Sequence, residues 1–120
     1  MTASIVPLVQ GCGNSDDDSG GTTDIEMNDG LAFDPEMLTI DLGQTVTWRN
    51  VGTMVHTATN DIEQAQNPDH AVLPEGAVGW DSGLIRAGES WSHTFDLTGE
   101  YTYFCIPHEA AGMVGKVVVT

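Results

Sequence analysis

From Thr23 onward the chain is broken into short runs in which apolar and polar residues alternate, with Gly, Pro, Asn and Asp between them. An alternation of period two places every second side chain on one face of a strand, and no stretch carries the 3.6-residue apolar period of an amphipathic helix. Leu38 and Ile40 alternate with Thr39 and Asp41, Gly43-Gln44 makes a turn, and Val46 and Trp48 alternate with Thr45, Thr47 and Arg49. Residues 55–59 form a further predicted strand. Trp91, His93 and Phe95 share one parity, Tyr101, Tyr103 and Cys105 share another, and residues 116–120 close the chain as a strand. Residues 60–79, rich in Asn, Asp, Pro and Gly, read as a long irregular connection with one helical turn near residues 62–66. Short strands punctuated by turns predict an all-β sandwich or barrel. A length of 120 residues fits one such domain with a real core.

The first 22 residues follow a different rule. A short apolar run, Ile5 to Val9, lies just ahead of Gln10-Gly11-Cys12, with no lysine or arginine before it. A full secretory signal has a cationic start and an apolar stretch of about 7–15 residues. Val9-Gln10-Gly11-Cys12 nonetheless resembles the lipobox of prokaryotic lipoproteins, in which the cysteine is lipidated and becomes the mature N-terminus. Gly13 to Thr22 is small, polar and aspartate-rich with nothing to bury, so it is expected to be a disordered tether. The chain thus divides into residues 1–22, a signal or lipobox remnant with an acidic linker, and residues 23–120, the folded domain.

Charge narrows the partners. Eighteen acidic and three basic residues give a net charge of −15. Three cations cannot neutralise a row of phosphates, which excludes nucleic acid as a partner. No run of 18 apolar residues exists to make a membrane-spanning helix. The acidity itself has two readings: a patch that steers a cationic partner, or adaptation to high salt. The acids are spread from Asp16 to Glu109 rather than clustered, which favours the second.

The segment that carries chemistry runs from Tyr101 to Val117. Cys105, His108 three residues on and Met113 five further share one loop between two predicted strands. Thiolate, imidazole and thioether form a soft ligand set, and a second histidine completes the His₂Cys plane with a weak axial methionine that electron-transfer copper uses. His56, 49 residues before Cys105, supplies it. With four protein ligands no position is left for a substrate, which argues against catalysis. His93 shares a parity with Trp91 and Phe95 and is read as a core or rim residue. His70, in Asn67-Pro-Asp-His, is read as exposed. Met27, Met37 and Met54 are read as packing or surface residues, with Met54 bordering the site.

Residues 88–119 resemble the C-terminal half of plastocyanin-type cupredoxins, whose hallmark is a tyrosine, an aromatic residue, Cys-x-x-His and Gly-Met-x-Gly. The stretch Phe33-Asp-Pro35 through Leu38-Thr-Ile40, Gly43, Thr45-Val-Thr-Trp48, Asn50 and His56 matches the N-terminal half. With the acidity, the lipobox-like cysteine and the aspartate-rich linker, the chain is most similar to halocyanins, lipid-anchored blue copper proteins of halophilic archaea. The resemblance implies a cupredoxin-like Greek-key β-sandwich or barrel and one type 1 copper held by His56, Cys105, His108 and Met113. It implies a monomeric carrier of single electrons between membrane or soluble redox proteins of a respiratory chain, with no catalysis of its own. It also implies anchoring through Cys12 at the extracytoplasmic face of the cell membrane. A copper-storage module, or a structural sandwich holding another metal such as zinc, is the competing reading. Departures stand out: Phe104 replaces the tyrosine that many plastocyanins use for lateral electron entry, Thr57 stands after the first histidine where asparagine is frequent, Glu109 puts a carboxylate where the family usually has a neutral residue, and His93 holds a valine-like position.

Overall fold

The computed structural model describes residues 23–120. The lipobox-like Val9–Cys12 and the linker from Gly13 to Thr22 lie outside the described residues. Nine strands follow in order: β1 (Asp24–Asn28), β2 (Ala32–Asp34), β3 (Met37–Ile40), β4 (Thr45–Asn50), β5 (Thr59–Asn60), β6 (Trp80–Asp81), β7 (Ser90–Thr94), β8 (Gly99–Phe104) and β9 (Val114–Val119). They form two sheets, β2-β1-β4-β7 and β3-β9-β8-β5-β6. Each sheet is mixed: β1 runs parallel to β4 and β3 parallel to β9, while the remaining neighbours are antiparallel. The all-β sandwich predicted from the alternation is the fold observed.

The alternation does what period two requires. In β3 Leu38 and Ile40 are buried while Met37 and Thr39 are exposed, and in β4 Val46 and Trp48 are buried. Between these strands Gly43 takes a φ of 91°, a conformation a side chain disfavours. The inner faces meet in an aromatic centre. Trp48 from one sheet packs edge-on against Tyr103 from the other, with centroids 5.3 Å apart, and Phe33 lies 4.6 Å from the same ring. Tyr103 is opposite Gly115 in the β8–β9 ladder, and a Cβ at Gly115 would lie 2.5 Å from its hydroxyl oxygen. This position of β9 therefore admits no side chain.

Three sequence expectations change. The strand predicted at residues 55–59 is reduced to β5 plus an isolated bridge between His56 and Ile85, because Asn50 and Asp29 draw the backbone before His56 into a loop. The turn expected near residues 62–66 is a hydrogen-bonded turn, Gln64 N–H to Asp61 C=O at 3.0 Å, and a 3-10 turn follows at Pro68–His70. Strand β9 begins at Val114, two residues before the predicted start.

Candidate metal centre

Cys105 directly follows β8, and the chain then winds through a 3-10 segment, Ile106–Ala111, into Gly112 and Met113. Pro107 suits the first turn, where its missing N–H costs nothing, and Gly112 closes the turn in the left-handed region at φ 89°. Backbone bonds fold the loop onto itself. His108 N–H donates to Cys105 C=O (3.1 Å), Met113 N–H to His108 C=O (3.3 Å), and Cys105 N–H to Met113 C=O (3.1 Å). Three prospective ligands are thus gathered within one short loop, and Met113 is fully buried at its end.

His56 reaches the same place from the other end of the sequence. Its backbone pairs with Ile85 in both directions, at 3.1 and 2.8 Å. Buried Asn50 donates through Nδ2 to the carbonyls of Met54 (2.7 Å) and Ile85 (2.9 Å) and accepts Gly52 N–H through Oδ1 (2.9 Å). The Asp29 carboxylate accepts from Thr53 N–H (2.7 Å), Thr53 Oγ1 (2.9 Å) and Met54 N–H (3.3 Å). Those Thr53 bonds hold the Asp29 carboxyl below its ordinary range. The approach to His56 is therefore fixed on both sides.

The donors converge. Cys105 Sγ lies 3.4 Å from His108 Nδ1 and 3.7 Å from His56 Nδ1, and one ligand atom from each residue falls within 4.8 Å of the others. The two imidazole rings meet at 62° with centroids 5.0 Å apart. His56 and Cys105 are fully buried and His108 is half-buried. Burial pushes the Cys105 thiol up, against the lowering pull of the Thr57 and His108 N–H groups. Burial and the neighbouring His108 push His56 down, keeping its imidazole neutral. A neutral imidazole and a thiol that resists ionising in a dry pocket fit a soft cation, whose charge supplies what the thiolate needs.

A hydroxyl chain supports the thiolate. Thr57 N–H donates to Cys105 Sγ (3.4 Å), while Thr57 Oγ1 accepts Ile106 N–H (2.9 Å). Thr57 Oγ1 also lies 2.8 Å from Thr59 Oγ1, which donates to Asp81 Oδ1 at 3.1 Å. Threonine thus ties the His56 and Cys105 segments together.

The other histidines lie elsewhere. Among the described residues the donor cluster contains only His56, Cys105 and His108. His93 is half-buried in β7, stacked on Trp80 (4.7 Å) and Trp91 (5.8 Å), a rim position as predicted. His70 is not simply exposed: its Nδ1 lies 2.8 Å from Glu109 Oε2. That pairing was missed because it joins residues 39 apart, with no local pattern to announce it. Met54 is exposed and Met27 buried.

A family model described as copper binding proteins, plastocyanin/azurin family, matches residues 20–120. The chain belongs to the plastocyanin/azurin family. It is 42% identical over 89 residues to a chloroplastic plastocyanin of Tetradesmus obliquus, covering 74% of this chain and 59% of that one. It is 38% identical over 89 residues to a plastocyanin of Scenedesmus fuscus, covering 74% and 87%. Among solved structures an oxidized mutant of amicyanin superposes with a TM-score of 0.64 at 27% identity, covering 81% of this chain and 80% of that one. A purple cupredoxin from Nitrosopumilus maritimus superposes at 0.61 with 25% identity, covering 81% and 98%. The sandwich is cupredoxin-like, copper is the metal of this family, and His56, Cys105, His108 and Met113 form the arrangement of a type 1 copper site.

Proposed function

We propose that this plastocyanin-family chain is a blue copper electron carrier that shuttles single electrons between respiratory partners. The observation that carries the reading is the donor cluster: two imidazole Nδ1 atoms and a cysteine sulfur converging in a pocket that is fully buried except at His108. Copper, when bound, supplies a one-electron Cu(II)/Cu(I) couple. His56, Cys105 and His108 would hold it, and Met113 would complete the set as a weak, neutral donor. The hydrogen-bonded loop and the Asn50 and Asp29 braces keep these donors in place through both charge states, so little rearrangement opposes electron transfer. Burial admits an electron and excludes a substrate, so carriage rather than catalysis is the outcome.

Halocyanin-like anchoring extends the proposal. The lipobox-like Val9–Cys12, the acidic linker after it and the net charge of −15 support a monomer held by a lipid at Cys12 on the extracytoplasmic face of a halophile's membrane. Fractionation of expressing cells tests this; recovery wholly in the soluble fraction overturns it. The copper reading is tested by the visible spectrum of the copper-loaded protein. An intense thiolate-to-copper band that bleaches reversibly on reduction is expected. A colourless protein preferring zinc, or one that holds copper without cycling, overturns it in favour of a structural or storage module.

Two further outcomes follow from the site. Met113→Leu keeps the protein folded and copper-bound, costing under about 1.5 kcal/mol because the volumes are similar. It raises the reduction potential, since loss of the thioether and drier surroundings would both favour the less charged Cu(I). Voltammetry against the parent in one high-salt buffer decides it. The second outcome concerns the rim. Pro107, Ala110, Ala111 and Gly112 are exposed around half-buried His108, a small uncharged face through which a partner approaches the imidazole. Ala111→Asp therefore slows electron exchange without bleaching the copper, and an unchanged self-exchange rate places the entry point elsewhere. Phe104 is fully buried and carries no hydroxyl, so it offers no polar lateral route.

A further inference from the structure

Among the described residues Glu109 is the only buried acid, 4% exposed, and it directly follows the ligand-loop histidine His108. Leaving a carboxylate out of water without partners costs several kcal/mol, so its contacts have to offset that. Gln66 N–H points at both oxygens, at 2.9 Å to Oε1 and 3.0 Å to Oε2. Asn67 N–H donates to Oε2 at 3.1 Å. His70 Nδ1 lies 2.8 Å from Oε2, and since a carboxylate only accepts, this nitrogen carries the hydrogen. Two backbone N–H groups and one imidazole thus converge on the two oxygens, the setting in which a buried carboxylate is found.

The donors are themselves prearranged. Asn67 Oδ1 accepts Asp69 N–H (2.9 Å) and caps the 3-10 turn, and His70 N–H donates to Asn67 C=O (2.9 Å), which turns the imidazole and the two amides toward one point. These contacts join segments 39 to 43 residues apart in sequence. Glu109 C=O meanwhile accepts Gly112 N–H (2.9 Å), the bond that closes the loop ahead of Met113. The side chain thus grips the long connection while the backbone of the same residue shapes the ligand loop.

We propose that Glu109 is a positioning residue of the metal centre: clamped by Gln66, Asn67 and His70, it holds the loop bearing His108 and Met113 in its metal-ready shape and, one residue along the chain from His108, fixes a negative charge on that loop that favours Cu(II) over Cu(I). The charge half of this rests on the copper reading above; the clamp half does not. A negative charge in a low-dielectric setting acts more strongly than one in water, whereas the many exposed acids of this surface are screened by salt.

The test uses the full chain, metal-free and copper-loaded, with Glu109→Gln and His70→Ala. Glutamine nearly matches the shape, keeps one acceptor oxygen and removes the charge. Its amide exchange at Gln66 and Asn67, followed by NMR, is expected to speed up at least about tenfold in the metal-free protein as the clamp opens. The copper-loaded variant stays blue, and its Cu(II)/Cu(I) affinity ratio shifts toward Cu(I) by up to about tenfold, a rise of about 59 mV for one electron. His70→Ala removes one donor but keeps the carboxylate, so exchange at the two amides speeds up while the potential does not rise. Unchanged exchange in Glu109→Gln overturns the clamp. An unchanged or lowered potential in that variant, or an equal rise in His70→Ala, overturns the charge assignment. A parent protein that takes up no copper would sink the functional reading yet leave the metal-free exchange result standing.

Discussion

Cys105→Ser is expected to abolish the blue colour and most Cu(II) binding, while His93→Ala and His70→Ala leave the colour intact. The sulfur is the atom on which both imidazoles converge, at 3.4 and 3.7 Å. A serine hydroxyl stays protonated at neutral pH and is a poor soft ligand, so neither the strong bond nor the charge-transfer band survives. The fold survives, because the backbone bonds that close the loop use Cys105 N–H and C=O rather than its side chain. His93 is stacked between indoles and His70 is turned to Glu109, so neither replaces a lost ligand. Titration with copper under absorbance, alongside circular dichroism of the metal-free variant, reads both parts. Retained colour in the serine variant rejects the ligand assignment.

The parts legible in the sequence are those written locally. Period two in Leu38 to Ile40, Val46 to Trp48 and Tyr101 to Tyr103 fixes which side chains turn inward, because a one-residue slip would expose all of them. Cys105, His108 and Met113 are legible because a tight loop between strands leaves residues so spaced nowhere else to go. Other features are held by partners remote in sequence. Strand β1 was not anticipated: Asp24, Glu26 and Asn28 surround only two buried residues, Ile25 and Met27, and its parallel pairing with β4 depends on the whole sheet. The connection after β5 read as irregular, and locally it is. What organises it is Asn60 Nδ2 bonding the carbonyls of Val72 (2.9 Å) and Thr102 (2.8 Å), with Glu109 receiving Gln66 and Asn67. A polar residue that braces a remote segment looks, in sequence, the same as one facing water. That is why Glu109 was visible only as a departure and His70 read as exposed.

Trp48→Ala is expected to be the costliest single change to the fold, lowering the stability of the metal-free protein by about 3–5 kcal/mol. Against a total of about 5–15 kcal/mol for a domain of this kind, that removes a large share. Trp48 is fully buried in β4, opposite Ile25 in β1 and Trp91 in β7. Its ring lies 5.8 Å from Trp91, 6.0 Å from Trp80 and 5.3 Å from Tyr103, so one side chain joins its own sheet to two strands of the other. Alanine there forfeits the transfer energy of the indole and leaves a void that neighbours cannot fill. Tyr103 is pinned against Phe33 and by its close approach to Gly115, and Trp80 is pinned against His93 and Phe95. Trp48→Phe keeps a ring in the gap and is expected to lose less than about half as much. Urea unfolding without copper is the measurement, because a metal that binds only the folded state would mask the loss. A decrease under about 1 kcal/mol would mean that the two sheets are joined through other contacts and that the aromatic centre is not what holds the sandwich closed.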